Sequence, residues 1–342
     1  MDILVVRILT SETSLTMPAF TYTHRFARIA FLALASLAIA APLGRAQEFD
    51  LQATNVPEVS GIPLLAEYEP GAAGGEAEPE HIRDNAFLVE EAFNQEAGEV
   101  QHISNWIILW DRFSGGHSRE FANTYTMEIP LGSQKHQFSF TTQFLTAFEH
   151  LNGSAASQEG DVGDTFLNYR YQLLADDEFL WCAPRASLIV PTADRRFGRG
   201  TGQAGYQFNL PISKYGDKFD FHFNSGFTIF PNVVATLPSG ANSPRHNLWA
   251  YNLGASVFYK PRVDLNFFVE ALYLSNEEID RIGFRADSTQ MFLNPGFRYA
   301  VCQFEQVEWI LGVSVPVGLT ANSPDIGVFA YMSVEHIFRK VD

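Results

Sequence analysis

The chain has 342 residues, 46% of them hydrophobic and 18% charged, with a formal net charge of −16. That acidity excludes a nucleic-acid binder, which needs a basic stripe to meet phosphate. No long apolar run follows the first fifty residues, which excludes membrane-spanning helices in the rest of the chain, while 30 phenylalanines with 25 glycines and 17 prolines suit many strands separated by turns.

His24, Arg25 and Arg28 precede an apolar run from Ile29 to Leu43, and Gly44, Arg45 and Ala46 offer a small-x-small cleavage site before Gln47. This is the form of a secretory signal peptide over residues 1–46, with Met17 as an alternative start. An uncleaved anchor is disfavoured, because the run is nearer fifteen residues than the roughly twenty that a span needs. Residues 47–99, which include GAAGGEAEPE, are acidic, rich in Gly and Ala, and poor in alternation. They read as an acidic flexible periplasmic arm. Within it, FLVEEAFNQ carries apolar residues at helical spacing, so a short helix is expected over Asn85 to Gln95. Its role is read either as a plug or lid at the periplasmic mouth of the domain over 100–338, or as a solvated leader.

From Val100 to Phe338 the period becomes two. Thr165, Leu167, Tyr169, Tyr171 and Leu173 alternate with Asn168, Arg170 and Gln172; Ala186, Leu188 and Val190 alternate with Arg185 and Ser187. Later, Phe219, Phe221, Phe223 and Phe227 share a face opposite Asp220, His222, Asn224 and Thr228. These are half-buried strands of about ten residues, apolar on one side and polar on the other, the length and alternation of a transmembrane β-barrel. About twelve such runs can be placed between Val100 and Phe338, an even number as bacterial barrels require. The connections GSQK, ADDE and KPR are short and alternate with longer ones such as TADRRFGRGTG and NEEIDRIGFRADS, as periplasmic turns alternate with extracellular loops. The last strand ends in Phe338, followed by a tail over 339–342. The expected fold is therefore all-β: an antiparallel transmembrane barrel over 100–338.

The blocks LVEEAFNQEAGEVQHI, GDVGDTFLNYRYQLL, APRASLIVPTAD, FGRGTGQAG and QFNLPISK resemble the outer-membrane family called putative MetA-pathway of phenol degradation, over about Asn85 to Phe338. The resemblance implies an outer-membrane location and passive passage of small solutes, with hydrophobic or aromatic molecules as the class its name suggests. The last strand also resembles the C-terminal signal that barrels offer to their assembly machinery. Expected partners are thus outer-membrane lipid, a small-molecule solute and that machinery, with no nucleic acid.

Charged side chains on the polar faces should point inward, since Arg or Lys facing lipid near the midplane costs roughly 2–4 kcal/mol. The candidates for the lumen are Arg170, Arg185, Asp220, Asp264, Glu270, Arg298, Glu308 and Glu335. They either fill the barrel with ion pairs or form a selectivity ladder along a pore. No cofactor, metal site or catalytic set is expected. Gly200 to Gly205 matches GxGxxG in spacing but runs into a strand instead of a helix. His102 and Ser104 share a strand face, which leaves a lipid-modifying enzyme as an alternative needing direct contact between them. The pairs Glu90 and Glu91, Glu277 and Glu278, and Asp161 and Asp164 lack the spacing of a calcium loop. Cys182 and Cys302 are expected near one rim on well-separated strands, each as an isolated thiol. A closed structural or adhesive barrel is the further alternative.

Overall fold

A computed structural model describes residues 81–151, 157–175, 179–194, 200–237, 240–280, 282–304 and 307–338. The expected signal peptide, most of the arm and the C-terminal tail lie outside the described residues.

Among the described residues fifteen strands follow one another: β1 (Glu99–Phe113), β2 (Gly116–Pro130), β3 (His136–Leu151), β4 (Ser157–Val162), β5 (Thr165–Tyr171), β6 (Trp181–Cys182), β7 (Arg185–Val190), β8 (Gly205–Lys214), β9 (Phe219–Val233), β10 (His246–Arg262), β11 (Leu265–Ile279), β12 (Arg285–Phe304), β13 (Val307–Ser314), β14 (Val317–Gly318) and β15 (Ile326–Ile337). Three short strands continue a neighbour across a break, β4 with β5, β6 with β7 and β14 with β13, so the wall has 12 antiparallel staves. Each pairs with the next in sequence. The ring closes where β15 pairs with β1, from Glu99 opposite Ile337 to Trp110 opposite Ile326. Closure leaves no open sheet edge, which is what lets a β-structure sit in hydrocarbon.

The distribution of side chains is inverted relative to a water-soluble fold. Along β9, Phe219, Phe221, Phe223 and Phe227 are 47%, 51%, 41% and 40% exposed, whereas Asp220, His222, Asn224 and Thr228 are all at 2% or less. The same holds for Tyr251, Leu253, Val257 and Tyr259 on β10 and for Trp309, Leu311 and Val313 on β13, which face outward around the ring. Such a continuous apolar belt in contact with solvent is unstable in water and stable in lipid.

Several connections that read as loops are paired backbone. β3 and β4 form a ladder from Phe144 opposite Val162 to Glu149 opposite Ser157, and β11 pairs with β12 as far as Ile279 opposite Arg285. The latter hairpin is turned by Asp280, whose Oδ1 accepts from the Ile282 and Phe284 N–H groups, with Gly283 at φ 93°. At the other end the turns stay tight, as between β2 and β3 and between β10 and β11.

Candidate lumenal site

Residues 81–98 run inside the ring, and no helix forms there. The helix expected over Asn85 to Gln95 is absent because the barrel takes its backbone hydrogen bonds. The N–H groups of Phe87, Leu88 and Val89 all donate to the Glu270 side chain, at 3.1, 2.9 and 3.2 Å. Those of Ala92, Asn94 and Gln95 donate to Ser213 Oγ, Gln172 Oε1 and Gln137 Oε1. In return the carbonyls of Ile82, Asp84 and Asn85 accept from Arg298, and those of Glu91 and Phe93 accept from Arg170. A chain whose amides are satisfied by surrounding side chains gains nothing from coiling.

The segment begins near the short-turn end, where the Ile82 N–H donates to Val263 O, reaches inward to Phe87–Glu90, and returns to that end to enter β1. Its tip is packed as well as hydrogen-bonded. The Phe87 ring lies 4.6 Å from that of Phe268, 5.1 Å from Phe329 and 5.0 Å from Tyr331, centroid to centroid. Two glycines make room: a Cβ on Gly254 would stand 2.9 Å from Val89 Cγ2, and one on Gly312 would collide with Phe87 Cζ.

Ion pairs complete the seating. Arg298, fully buried, holds Glu91 at 3.1 Å and lies 4.5 Å from the Phe258 ring. Arg170 reaches Glu90 at 3.3 Å and Glu128 at 3.1 Å, and Arg185 reaches Glu90 at 2.9 Å. Asn209 Nδ2 adds a hydrogen bond to Glu90 Oε2 at 3.0 Å. Beside this cluster lies a cavity of about 60 Å³, lined by Glu90, Glu128, Arg170 and Arg185 together with Phe87, Val89, Ile103 and Tyr331.

Of the sequence candidates, Arg170, Arg185, Glu270, Arg298 and Glu335 are buried on the inner wall and bound to residues 81–98, Glu335 through Gln95 Nε2 at 3.3 Å. Asp220 is buried too but pairs with Lys260 at 2.8 Å. Glu308 is half-buried on β13, opposite Glu335 in register. Asp264 is not on a strand face: it lies in the turn between β10 and β11, paired with the exposed Arg262. Sequence reading missed Glu128, although Thr124, Thr126 and Glu128 alternate toward one side, and it missed that the acidic pair Glu90 and Glu91 would be the barrel's own counter-ions.

The inner wall is also less polar than alternation implies. Toward the ends of the strands nearest the long connections, Phe166, Ile189, Phe230, Val233, Leu248 and Ile279 form a buried apolar cluster. Ile103, Ile107, Leu109, Leu272, Leu274 and Phe292 belong to the cluster around Phe87.

The sequence matches no family model, and no curated protein matches it. Among solved structures, the chain is similar to an outer-membrane channel from Pseudomonas putida F1, with 11% identity, a TM-score of 0.56, and 72% of this chain and 98% of that one covered. The fold is that of a Gram-negative outer-membrane β-barrel. Weaker likenesses are to the transport unit of the autotransporter AIDA-I from Escherichia coli (8% identity, TM-score 0.46, 71% and 91% covered) and to the NanC porin (12% identity, TM-score 0.41, 69% and 98% covered).

His102 Nδ1 is 2.7 Å from the Tyr125 hydroxyl and its ring stacks on His336, so the imidazole is engaged by groups other than Ser104. Gly205 opens β8, so no helix N-terminus follows the GxGxxG spacing. No group of three or more His, Cys, Asp or Glu is placed to hold a metal among the described residues. Cys182 and Cys302 are free thiols, on β6 and β12. Asp164, at the break between β4 and β5, is pushed up to about 6 by burial, against which the Ala193 N–H donated to its carboxyl works.

Proposed function

We propose that this chain is an exported outer-membrane channel for small solutes, hydrophobic or aromatic ones among them, plugged from the periplasmic side by residues 81–98. The carrying observation is the inverted wall with a segment of the same chain docked inside it: the belt faces lipid, and the lumen holds a peptide bound by replaceable polar contacts of the kind that solute or water takes over. On this reading the short turns are periplasmic, the leader over 1–46 is removed near Ala46, and β15 is read by the assembly machinery. The apolar cluster of Phe166, Ile189, Phe230 and Leu248 supports an apolar solute class, as does the resemblance to the MetA-pathway family. Arg170, Arg185, Asp220, Glu270, Arg298, Glu308 and Glu335 line or seat the passage. No catalytic step is assigned: the His102 imidazole is bonded to Tyr125, and Ser213, which does meet His222 at 2.8 Å, is taken up by the Ala92 N–H of the docked segment.

A second reading, a closed structural barrel, is favoured by the density of packing around Phe87. Reconstitution in planar bilayers separates the two. The channel reading expects resolvable conductance from the full chain and a several-fold rise when residues 81–95 are deleted; silence from both proteins, each shown to be folded, rejects it.

A further inference from the structure

Glu90 sits in a socket built for a carboxyl group. Its two oxygens meet donors from three staves: Arg170 on β5 at 3.3 Å, Arg185 on β7 at 2.9 Å, and Asn209 on β8 at 3.0 Å. Two guanidinium groups and an amide converging on one carboxyl group, in a place sheltered from water, form the arrangement that proteins use to bind carboxylates of ligands. Arg170 is further oriented by Glu128 at 3.1 Å and by Asn94 Oδ1, and Arg185 by Asn168 Oδ1 at 2.9 Å and Gln207 Oε1 at 3.1 Å. Asn94 belongs to the docked segment, but Glu128, Asn168 and Gln207 belong to the wall, so each guanidinium keeps a wall partner when Glu90 leaves.

The socket opens on the cavity of about 60 Å³, whose lining is mostly polar, Asn105, Thr126, Ser139 and Thr141 among it, with Phe87, Val89, Ile103 and Tyr331 as its apolar part. As it stands the cavity holds only a few waters. A ligand with a ring needs the space that Glu90 and its neighbours vacate.

We propose that Arg170, Arg185 and Asn209 form a binding site for small organic carboxylates with an apolar or aromatic body, that Glu90 occupies it as a tethered stand-in, and that the ligand displaces Glu90 to loosen the plug. This deepens the channel reading and rests on it only for the claim that the bound solute travels onward. Because Glu90 is part of the same chain, a free carboxylate competes against an effective concentration on the order of millimolar. Binding to the wild-type protein is therefore weak, and removal of the Glu90 charge strengthens it by at least about tenfold.

The test is titration calorimetry of the detergent-purified full chain with benzoate, with benzyl alcohol as a neutral match and sodium phosphate as a simple anion. Folding of every variant is checked by heat-modifiable gel migration. Expected results are saturable benzoate binding, at least tenfold tighter in Glu90→Gln, lost in the Arg170→Gln, Arg185→Gln double variant, and not reproduced by benzyl alcohol. Phosphate binding as tightly as benzoate would overturn the organic class, and equal affinity of Glu90→Gln and wild type would overturn the stand-in. Should Glu90→Gln fail to fold, hydrogen exchange on the wild type decides: benzoate, and not benzyl alcohol, is expected to speed exchange of the Phe87, Leu88 and Val89 amides, and unchanged exchange at saturating benzoate overturns the proposal. Conductance without benzoate binding sinks the site and leaves the channel; benzoate binding without conductance does the reverse.

Discussion

Replacing Glu270 with alanine removes the acceptor shared by the Phe87, Leu88 and Val89 N–H groups, together with that of Asn294 Nδ2 at 2.7 Å. A buried donor left without a partner costs about 1–3 kcal/mol, so three would cost roughly 3–9 kcal/mol in a dry core. The lumen of a barrel is reachable by water, which rehydrates part of that loss, so the lower bound, about 3 kcal/mol, is the figure to expect. At 1.4 kcal/mol per factor of ten, the ratio of docked to undocked segment falls by about a hundredfold. The wall should be spared, because β11 keeps its full ladder with β10 and β12 through Val269, Glu270 and Ala271. Limited proteolysis of the protein in liposomes, followed by mass spectrometry, should show cleavage within residues 81–95 appearing at protease levels about a hundredfold lower than for wild type, with the barrel core intact. Equal protection of the two proteins would refute the claim that Glu270 anchors the segment.

The same contacts set further expectations. Gly254→Leu would drive its side chain against Val89, whose Cγ2 a Cβ there would already meet at 2.9 Å, so single-channel recordings should show longer open times with unchanged heat-modifiable migration. Arg298→Gln leaves Glu91 buried without its guanidinium, a loss of about 3–5 kcal/mol for a broken buried pair, and thermal unfolding should report it as a lower transition temperature that Glu91→Gln in the same chain partly restores. Leu253→Arg puts a charge on the lipid face of β10, where it is 46% exposed, and should cost roughly 2–4 kcal/mol in urea titrations in liposomes; the same change on a water-soluble protein would cost little. Asp164 binds its proton more tightly folded than unfolded, so its contribution is fully present below the usual carboxylate range near 3.8 and is lost as pH rises through about 6. Thermal unfolding should report a transition temperature that falls across that interval, and Asp164→Asn should remove that component of the fall.

The barrel was legible because lipid outside and water or peptide inside impose opposite demands on successive residues, and Phe219 to Thr228 record both. The ends of the strands were not legible for the same reason. Where β3 and β4 or β11 and β12 project past the belt, both faces meet water, and the alternation that marks a strand disappears although the ladder continues. The lumenal charges were legible as inward on β5, β7 and β12, from Arg170, Arg185 and Arg298 opposite apolar neighbours. Their partners were not. Glu90 and Glu91 stand in a stretch whose helical spacing pointed to an independent helix, and only the surrounding staves, each supplying one side chain from a distant point in the chain, reveal why that stretch stays extended. Apolar residues such as Ile107, Phe258 and Phe329 on the inner wall likewise looked like exceptions, since the sequence carries no sign that Phe87 would be there to meet them.

The central claim is that residues 81–98 both occupy the lumen and must move for solute to pass. A Val89→Cys, Gly254→Cys pair, with Cys182 and Cys302 changed to serine, tests it in one bilayer recording, because a Cβ on Gly254 would stand 2.9 Å from Val89 Cγ2. The account predicts that oxidation forms the cross-link and silences conductance, and that reduction restores it within the same recording. A cross-link that forms while conductance continues unchanged, or a pair that never forms one, would contradict it.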